Sequence, residues 1–245
     1  MDLSGFYTDT VSFSTYSMEH FSSVFIVLVF GVLFIARGKH VWNEKQRWRN
    51  VIILSAVLYA IQLFKTFFRM YLGNFDITED LPLQLCNILP LLLIIGLYYR
   101  SRIVLSVTFF WILAGTAQAN ITPTLLNTFP HYEAIRYWAI HTGLPVIAVY
   151  IYYVLGYRFK LKDAARSALA LNILAAVIYP INLWLGSNYL YLVDKPPGTT
   201  IYNLLGPWPW YIMNIEFLML VLFSVVLLPF YIYERVKGEH AVTTA

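Results

Sequence analysis

Seven predominantly apolar stretches, separated by short polar linkers, occupy most of this 245-residue sequence. Each is about 20 residues long, the length of helix that crosses the hydrocarbon core of a bilayer. Only 12% of the residues are charged, about half the share found in soluble domains. The pattern predicts an all-α polytopic membrane protein with one seven-helix domain over residues 1–245. The predicted helices are about 19–36, 50–72, 81–99, 103–120, 133–155, 165–186 and 210–233.

Basic residues are concentrated in alternate linkers, which fall on one predicted side of the membrane. They are Arg37, Lys39, Lys45, Arg47, Arg49, Arg100, Arg102, Arg158, Lys160, Lys162, Arg166, Arg235 and Lys237. The other side is acidic, with Asp2, Asp9, Asp76, Glu79 and Asp80. By the positive-inside rule we expect the N-terminus outside and the C-terminus inside a cell membrane. Because the net charge of +4 comes from these linkers, we expect no nucleic-acid partner.

Polar side chains within the predicted helices cluster toward the outer face. Such residues often form packing contacts between helices, but packing contacts have no reason to occupy one leaflet. Polar groups at membrane depth also line wet cavities, so we expect a cavity in the outer half. Its predicted lining is Lys65, Arg69, Cys86, Asn87, Gln118, Asn120, His141, Asn182, Asn214 and Glu216.

Cys86, the single cysteine, and His141 are predicted at similar depth. A thiol with a base within hydrogen-bond reach can act as a nucleophile. Four residues after each comes a proline, Pro90 or Pro145, which removes the helical partner of the Cys86 or His141 carbonyl. Cys86 can equally be an ordinary apolar side chain, and His141 a structural donor. The spacing alone leaves both alternatives open.

The predicted start of the third helix bears on the environment of Cys86. Asp80 resembles an N-cap, and Pro82 stands near the first helical position. Cys86 is then expected just beyond the first turn, where the helix dipole still favours negative charge a little.

An aromatic, proline-rich segment joins the last two predicted helices on the outer side. It covers residues 186–198 and 206–211 and includes Trp208 and Trp210. Aromatic belts at headgroup level explain such rings, but not the Asn, Asp and Lys residues between them. We therefore expect this outer segment to form a lid or an entrance to the cavity, with Trp208 and Trp210 close to a ligand.

Several of these features occur together in one known family. They are the run from Leu81 to Cys86, His141 on a later helix, and the motifs Asn-Tyr-Leu-Tyr, Lys-Pro-Pro-Gly and Gly-Pro-Trp-Pro-Trp-Tyr. Over most of its length the sequence resembles the YwaF-like integral membrane family, whose vertebrate relative is transmembrane protein 164. Some members have a His two positions before the cysteine, where this sequence has Gln84.

The resemblance implies a cysteine-centred acyltransferase, which moves a polyunsaturated acyl chain from a phospholipid to a lyso ether phospholipid. By position, Cys86 matches the nucleophile and His141 the base. The hypothesis is therefore acyl transfer or acyl hydrolysis on membrane phospholipids through a thioester.

The other polar residues have expected roles in this hypothesis. Lys65 and Arg69 lie one helical turn apart and would hold the lipid phosphate. Glu216 would orient His141, or be protonated through burial. The candidate oxyanion donors are Asn87, Asn120 and Asn214.

Two other functions fit the same residues. A non-catalytic lipid or small-molecule binder or carrier would use the polar cavity without chemistry at Cys86. A metal-dependent lipid hydrolase needs several His or carboxylate ligands, and only His141 is predicted inside the membrane. We expect no metal and no cofactor, and membrane phospholipids as partners; the oligomeric state stays open.

Overall fold

The computed structural model of the protein describes residues 4–7, 12–196 and 201–237. Asp2, Asp9, Pro197, Gly198 and the side chain of Lys237 lie outside the described part. The described chain contains seven helices beyond a short N-terminal turn (Ser4–Tyr7). They are α1 (Met18–His40), α2 (Glu44–Tyr71), α3 (Leu85–Tyr98), α4 (Arg102–Phe110), α5 (Tyr132–Tyr153), α6 (Leu161–Leu185) and α7 (Trp210–Lys237).

Six of these helices are long and apolar enough to cross a membrane. α4 belongs to this group because a π-helical turn (Trp111–Gly115) and a 3-10 turn (Thr116–Asn120) continue it. α3 has only 14 residues, which extend over about 21 Å. The all-α class and the count of seven helices are confirmed, while the orientation in the membrane stays a prediction.

The N-terminal end of α3 differs from the prediction. The helix begins at Leu85, so a start at Asp80 and Pro82 is wrong. Asp80 does not cap the helix, because Gln84 occupies the N-cap position. The Asp80 carboxylate instead accepts a hydrogen bond from the Lys65 ammonium. Cys86 therefore lies within the first turn of α3 rather than beyond it.

α5 is the centre of the bundle. It packs against α1, α2 and the end of α4, and Ile140, Leu144 and Tyr150 are fully buried on it. α1 approaches α5 closely at Gly31, where a β-carbon would lie 2.4 Å from the Val146 side chain. Small residues permit such close contact between membrane helices. By contrast, most of α1 and α7 is exposed and faces the surroundings of the bundle.

The basic linkers meet at one end of the bundle. Arg102 pairs with Asp163 at 3.0 Å, and Arg158 pairs with Glu234 of α7 at 3.3 Å. We call this end, with the linkers 41–43, 99–101 and 154–160, the basic end. The site end is the opposite one, with the linkers 72–84, 121–131, 186–196 and 206–209. The predicted cavity residues belong to the site end.

Candidate functional site

Cys86 is half-buried at the start of α3, and its thiol donates to Asn87 Oδ1 at 3.4 Å. Asn87 is only 6% exposed. Its amide nitrogen donates no hydrogen bond within the described part of the chain. This nitrogen is not among the buried side-chain atoms that lack a partner in the described chain, so it remains accessible to a ligand beside the thiol. Pro90 lies inside α3, as predicted.

The imidazole of His141 has a defined orientation. Its Nδ1 lies 3.0 Å from the Tyr137 carbonyl oxygen, and its ring packs on the Tyr137 ring with centroids 4.1 Å apart. Because a carbonyl oxygen only accepts, Nδ1 carries the proton and Nε2 carries the lone pair. The Tyr137 carbonyl, and not Glu216 as predicted, orients the ring. The resulting tautomer presents Nε2 as a base.

Asn120 locks the end of α4 against α5. Its Nδ2 donates to the His141 carbonyl at 2.7 Å and to the Ala117 carbonyl at 3.1 Å. Its Oδ1 accepts from the Thr142 hydroxyl at 2.6 Å. Asn120 thereby satisfies the carbonyl that Pro145 leaves without a helical partner. With both amide protons engaged, Asn120 has none for an oxyanion, contrary to its predicted role.

Two more side chains near Asn120 have structural contacts. Gln118 Nε2 donates to the Ala114 carbonyl at 2.5 Å within its own helix. His20, at the start of α1, is 2% exposed and donates from Nε2 to the Asn120 carbonyl at 2.9 Å. Only His141 was predicted as an imidazole inside the membrane, so His20 was missed. The apolar pattern gave no sign that the start of α1 packs against α4.

Cys86 and His141 share neighbours without bonding to each other. No hydrogen bond joins them in the described structure, so their catalytic pairing stays a prediction. Arg136 acts electrostatically on both. Tyr137 packs on His141 and also lies within electrostatic range of Cys86. Because a thiol has one proton, a hydrogen bond from Cys86 to His141 requires Cys86 to give up its bond to Asn87.

Lys65 and Arg69 share a face of α2, as predicted, and both face a buried carboxylate. Asp80 is 1% exposed, with Oδ1 2.5 Å from Lys65 Nζ and Oδ2 2.6 Å from Arg69 Nε. The Arg69 contact is an ion pair without the alignment of a hydrogen bond. Arg69 also lies 3.7 Å from Glu133. A lipid phosphate would have to compete with Asp80, and phosphate binding by these two cations stays a prediction.

Tyr189 anchors the outer segment to the site end. Asn182 Nδ2 donates to the Tyr189 carbonyl and Asn182 Oδ1 accepts from the Tyr189 N–H, both at 2.8 Å. The Tyr189 hydroxyl donates to the Ile77 carbonyl at 2.7 Å and accepts from the Leu81 N–H at 3.0 Å. Burial raises the pKa of Tyr189, so its phenol stays protonated. Asn182, predicted to line the cavity, therefore holds this anchor.

The outer segment lies over the start of α3. Gln84 Oε1 accepts from the Leu190 N–H at 3.0 Å, and the Tyr211 hydroxyl donates to the Tyr191 carbonyl at 2.6 Å. Burial raises the pKa of Tyr191, and charge at Cys86 raises it further. Leu190 and Tyr191 have φ of 58° and 54°, a region that side chains other than glycine rarely adopt. The contacts on both sides hold this conformation in place.

The residues predicted to line the cavity from α7 have partners elsewhere. Asn214 donates to a carbonyl of the preceding linker at 3.0 Å, and Glu216 accepts from an α6 amide at 3.0 Å. Trp208 and Trp210 are 53% and 60% exposed, as in an aromatic belt. In the described structure no hydrogen bond links any of these residues to Cys86 or His141.

The chain matches the TMEM164 family over residues 15–227. The matched region contains Cys86, His141, the outer segment and all of the helices except the last turns of α7. Comparisons with curated proteins and with solved structures found no match.

Proposed function

This chain belongs to the TMEM164 family, and we propose that it is an enzyme of the cell membrane that moves an acyl chain from a phospholipid. Cys86 is the nucleophile and His141 the base. The orientation of His141 carries this proposal, because the Tyr137 carbonyl fixes the proton on Nδ1 and leaves Nε2 to accept one. The single thiol of the chain lies at the start of α3, next to the available amide of Asn87.

The first half-reaction forms a thioester. The Cys86 side chain rotates from Asn87 toward His141, whose Nε2 takes the thiol proton. The thiolate attacks the carbonyl carbon of a glycerolipid ester, and the Asn87 amide donates to the oxyanion. The bond between the carbonyl carbon and the glycerol oxygen then breaks. The imidazolium of His141 returns its proton to that oxygen, and the lysolipid leaves.

The second half-reaction consumes the thioester. A lysophospholipid hydroxyl gives its proton to His141 and attacks the thioester carbonyl. The carbon–sulfur bond then breaks, which leaves a new ester, and the His141 imidazolium returns its proton to the Cys86 sulfur. Water as the acceptor gives hydrolysis by the same route. In this proposal Lys65 and Arg69 supply positive potential at the level of the lipid phosphate, and Asp80 balances part of it.

Acyl transfer in liposomes tests this function. Reconstituted protein receives a phospholipid labelled in one acyl chain and an unlabelled lysophospholipid. We expect label in a new phospholipid, or in free fatty acid, with the natural chain and background levels with Cys86→Ser. Lys45→Gln at the basic end is a matched control for reconstitution and should match the natural chain. Undiminished turnover by folded Cys86→Ser would refute the proposed nucleophile.

A non-catalytic phospholipid binder or carrier is the second candidate, because the Cys86 thiol is already bonded to Asn87. A binder would show neither labelled product in this assay. Phospholipid would still co-purify with it, and in equal amounts with the natural chain and with Cys86→Ser.

A further inference from the structure

An apolar groove opens on the surface of the bundle between α2 and α5, toward the site end. Its volume is about 360 Å³, within the range of small-ligand sites. Val57 and Phe64 of α2 and Ile135 of α5 form its walls and are 42% to 48% exposed. Phe6 of the N-terminal turn closes one edge by ring contacts with Phe64 at 6.4 Å. The groove is therefore accessible from the side, where lipid chains would lie.

Two cations, Lys65 and Arg136, line the groove, and they differ in whether a carboxylate neutralises their charge. Lys65 is paired with Asp80 at 2.5 Å. Arg136 donates to the neutral amide oxygen of Gln62 at 3.0 Å, and it has no carboxylate within ion-pair distance in the described chain. Its Nε is buried without a hydrogen-bond partner. A guanidinium at membrane depth costs free energy unless it is paired with an anion. Arg136 is therefore suited to bind an anionic ligand.

Arg136 also links the groove to the candidate catalytic residues. It lies five positions before His141 on α5, and its charge acts on both His141 and Cys86. In a glycerophospholipid a few bonds separate the phosphate from the ester carbonyls. A phosphate on Arg136 therefore holds those carbonyls near the residue whose charge acts on both His141 and Cys86, while an acyl chain follows the groove.

We propose that this groove binds one acyl chain of a glycerophospholipid that arrives laterally from the membrane, with its phosphate on Arg136. Arg suits this contact because its planar fork donates two parallel hydrogen bonds to phosphate oxygens. Lys65 lies at the same end of the groove and adds positive potential. This assignment rests on the proposed function for its substrate class and adds the subsite and the direction of access.

Photo-crosslinking measures occupancy of the groove apart from catalysis. The probe is phosphatidylcholine with a photoreactive acyl chain, in liposomes that contain the Cys86→Ser protein, which cannot turn over. We expect crosslinks to α2 peptides that contain residues 57–64. Arg136→Gln should lower their yield about tenfold, because charge-assisted hydrogen bonds to the phosphate are lost. Arg49→Gln, at the basic end, should leave the yield unchanged.

A second pair of variants tests the chain-binding wall. Ala60 lines the groove and is exposed, so Ala60→Trp fills the groove without removing a packed side chain. We expect this variant to lose the α2 crosslinks, while Ala176→Trp, on the exposed face of α6, retains them. Retained crosslinks in Ala60→Trp would overturn the groove assignment even if Arg136→Gln failed to fold.

The phosphate contact has its own controls. A diacylglycerol probe with the same acyl chains should label the α2 peptides weakly in Cys86→Ser, and inorganic phosphate at millimolar concentration should not compete with the phospholipid. Equal labelling by both probes, or equal labelling of Arg136→Gln and its parent, would overturn the role of Arg136. Crosslinks without any acyl transfer by the natural chain would refute the proposed function and leave the groove assignment standing.

Discussion

The two ends of the bundle satisfy their buried polar groups to different degrees. At the basic end the Asp163 carboxylate, 1% exposed, receives Arg102 at 3.0 Å, Arg166 at 3.4 Å and the Lys160 N–H at 3.0 Å. Its oxygens therefore have partners from α4, from α6 and from the linker between α5 and α6. This end is held together by contacts within the protein.

At the site end, several buried donors have no partner in the described chain. They are Gln62 Nε2, Arg136 Nε and Trp138 Nε1, and the described part of the basic end contains no such donor. Folded proteins rarely leave buried donors unbonded. The difference indicates that the basic end is satisfied by contacts within the protein, whereas the site end keeps polar capacity for a ligand. The following predictions test that division of roles, beginning with the largest expected effect.

We expect only the site end to be exposed to the outside of the cell, so labelling there should be all or none. In a Cys86→Ser background, Glu79→Cys places a thiol at the site end, and Lys45→Cys and Lys162→Cys place one at the basic end; all three positions are exposed. An impermeant maleimide should label Glu79→Cys in intact cells and the other two only after permeabilisation. The reverse pattern would place the candidate site on the cytoplasmic side.

Replacement of His141 should separate catalysis from packing. His141→Gln should lower acyl transfer by about 10² to 10⁴-fold, the range for loss of a general base. His20→Gln is the matched control, because glutamine can still donate to the Asn120 carbonyl and His20 has no proposed chemical role. We expect that control to retain activity within about tenfold. Equal losses in the two variants, measured on folded protein in liposomes, would reduce His141 to a structural residue.

Loss of a buried carboxylate should cost more stability at the site end than at the basic end. Lys65 and Arg69 side chains are 11% and 24% exposed, whereas Arg102 and Arg166 are 39% and 52% exposed. Water can therefore solvate the basic-end arginines once their partner is gone. Asp80→Asn should destabilise the protein by about 3 kcal/mol, and Asp163→Asn by about 1 kcal/mol.

Unfolding in SDS titrations, with circular dichroism as the signal, measures both changes. A greater loss for Asp163→Asn than for Asp80→Asn would show that the site end does not depend on its central ion pair.

Hydrophobicity was enough to predict seven helices, whereas the predicted cavity at the site end stays a prediction. Apolar stretches of membrane-spanning length depend on local composition, so the seven helices of the structure match the predicted ones. The prediction of where α3 begins was wrong because the role of Asp80 depends on residues outside the local sequence. Asp80 has a suitable sequence position for an N-cap, but its partners Lys65 and Arg69 lie on the preceding helix. Competition of this kind does not appear in a local pattern.

The roles of individual polar residues depended on partners that sequence could not identify. Asn120 was predicted to be a ligand contact, and it instead satisfies the His141 carbonyl on the next helix. Nothing in the sequence showed that Lys65 and Arg69 share an acid, or that Arg136 has no carboxylate partner in the described part of the chain. Pairing of charges between helices follows from packing rather than from spacing.

An acyl adduct on Cys86 during turnover would be the direct sign that its thiol is the nucleophile. The protein is mixed with phospholipid, quenched in acid and weighed by intact mass spectrometry, and peptide mapping then locates the adduct. Because the chain has one cysteine, a thioester has a single possible site. We expect a mass increase equal to one acyl group, removed by neutral hydroxylamine and absent in Cys86→Ala. Acyl transfer that proceeds without this adduct, and at an undiminished rate in Cys86→Ala, would contradict nucleophilic catalysis by Cys86.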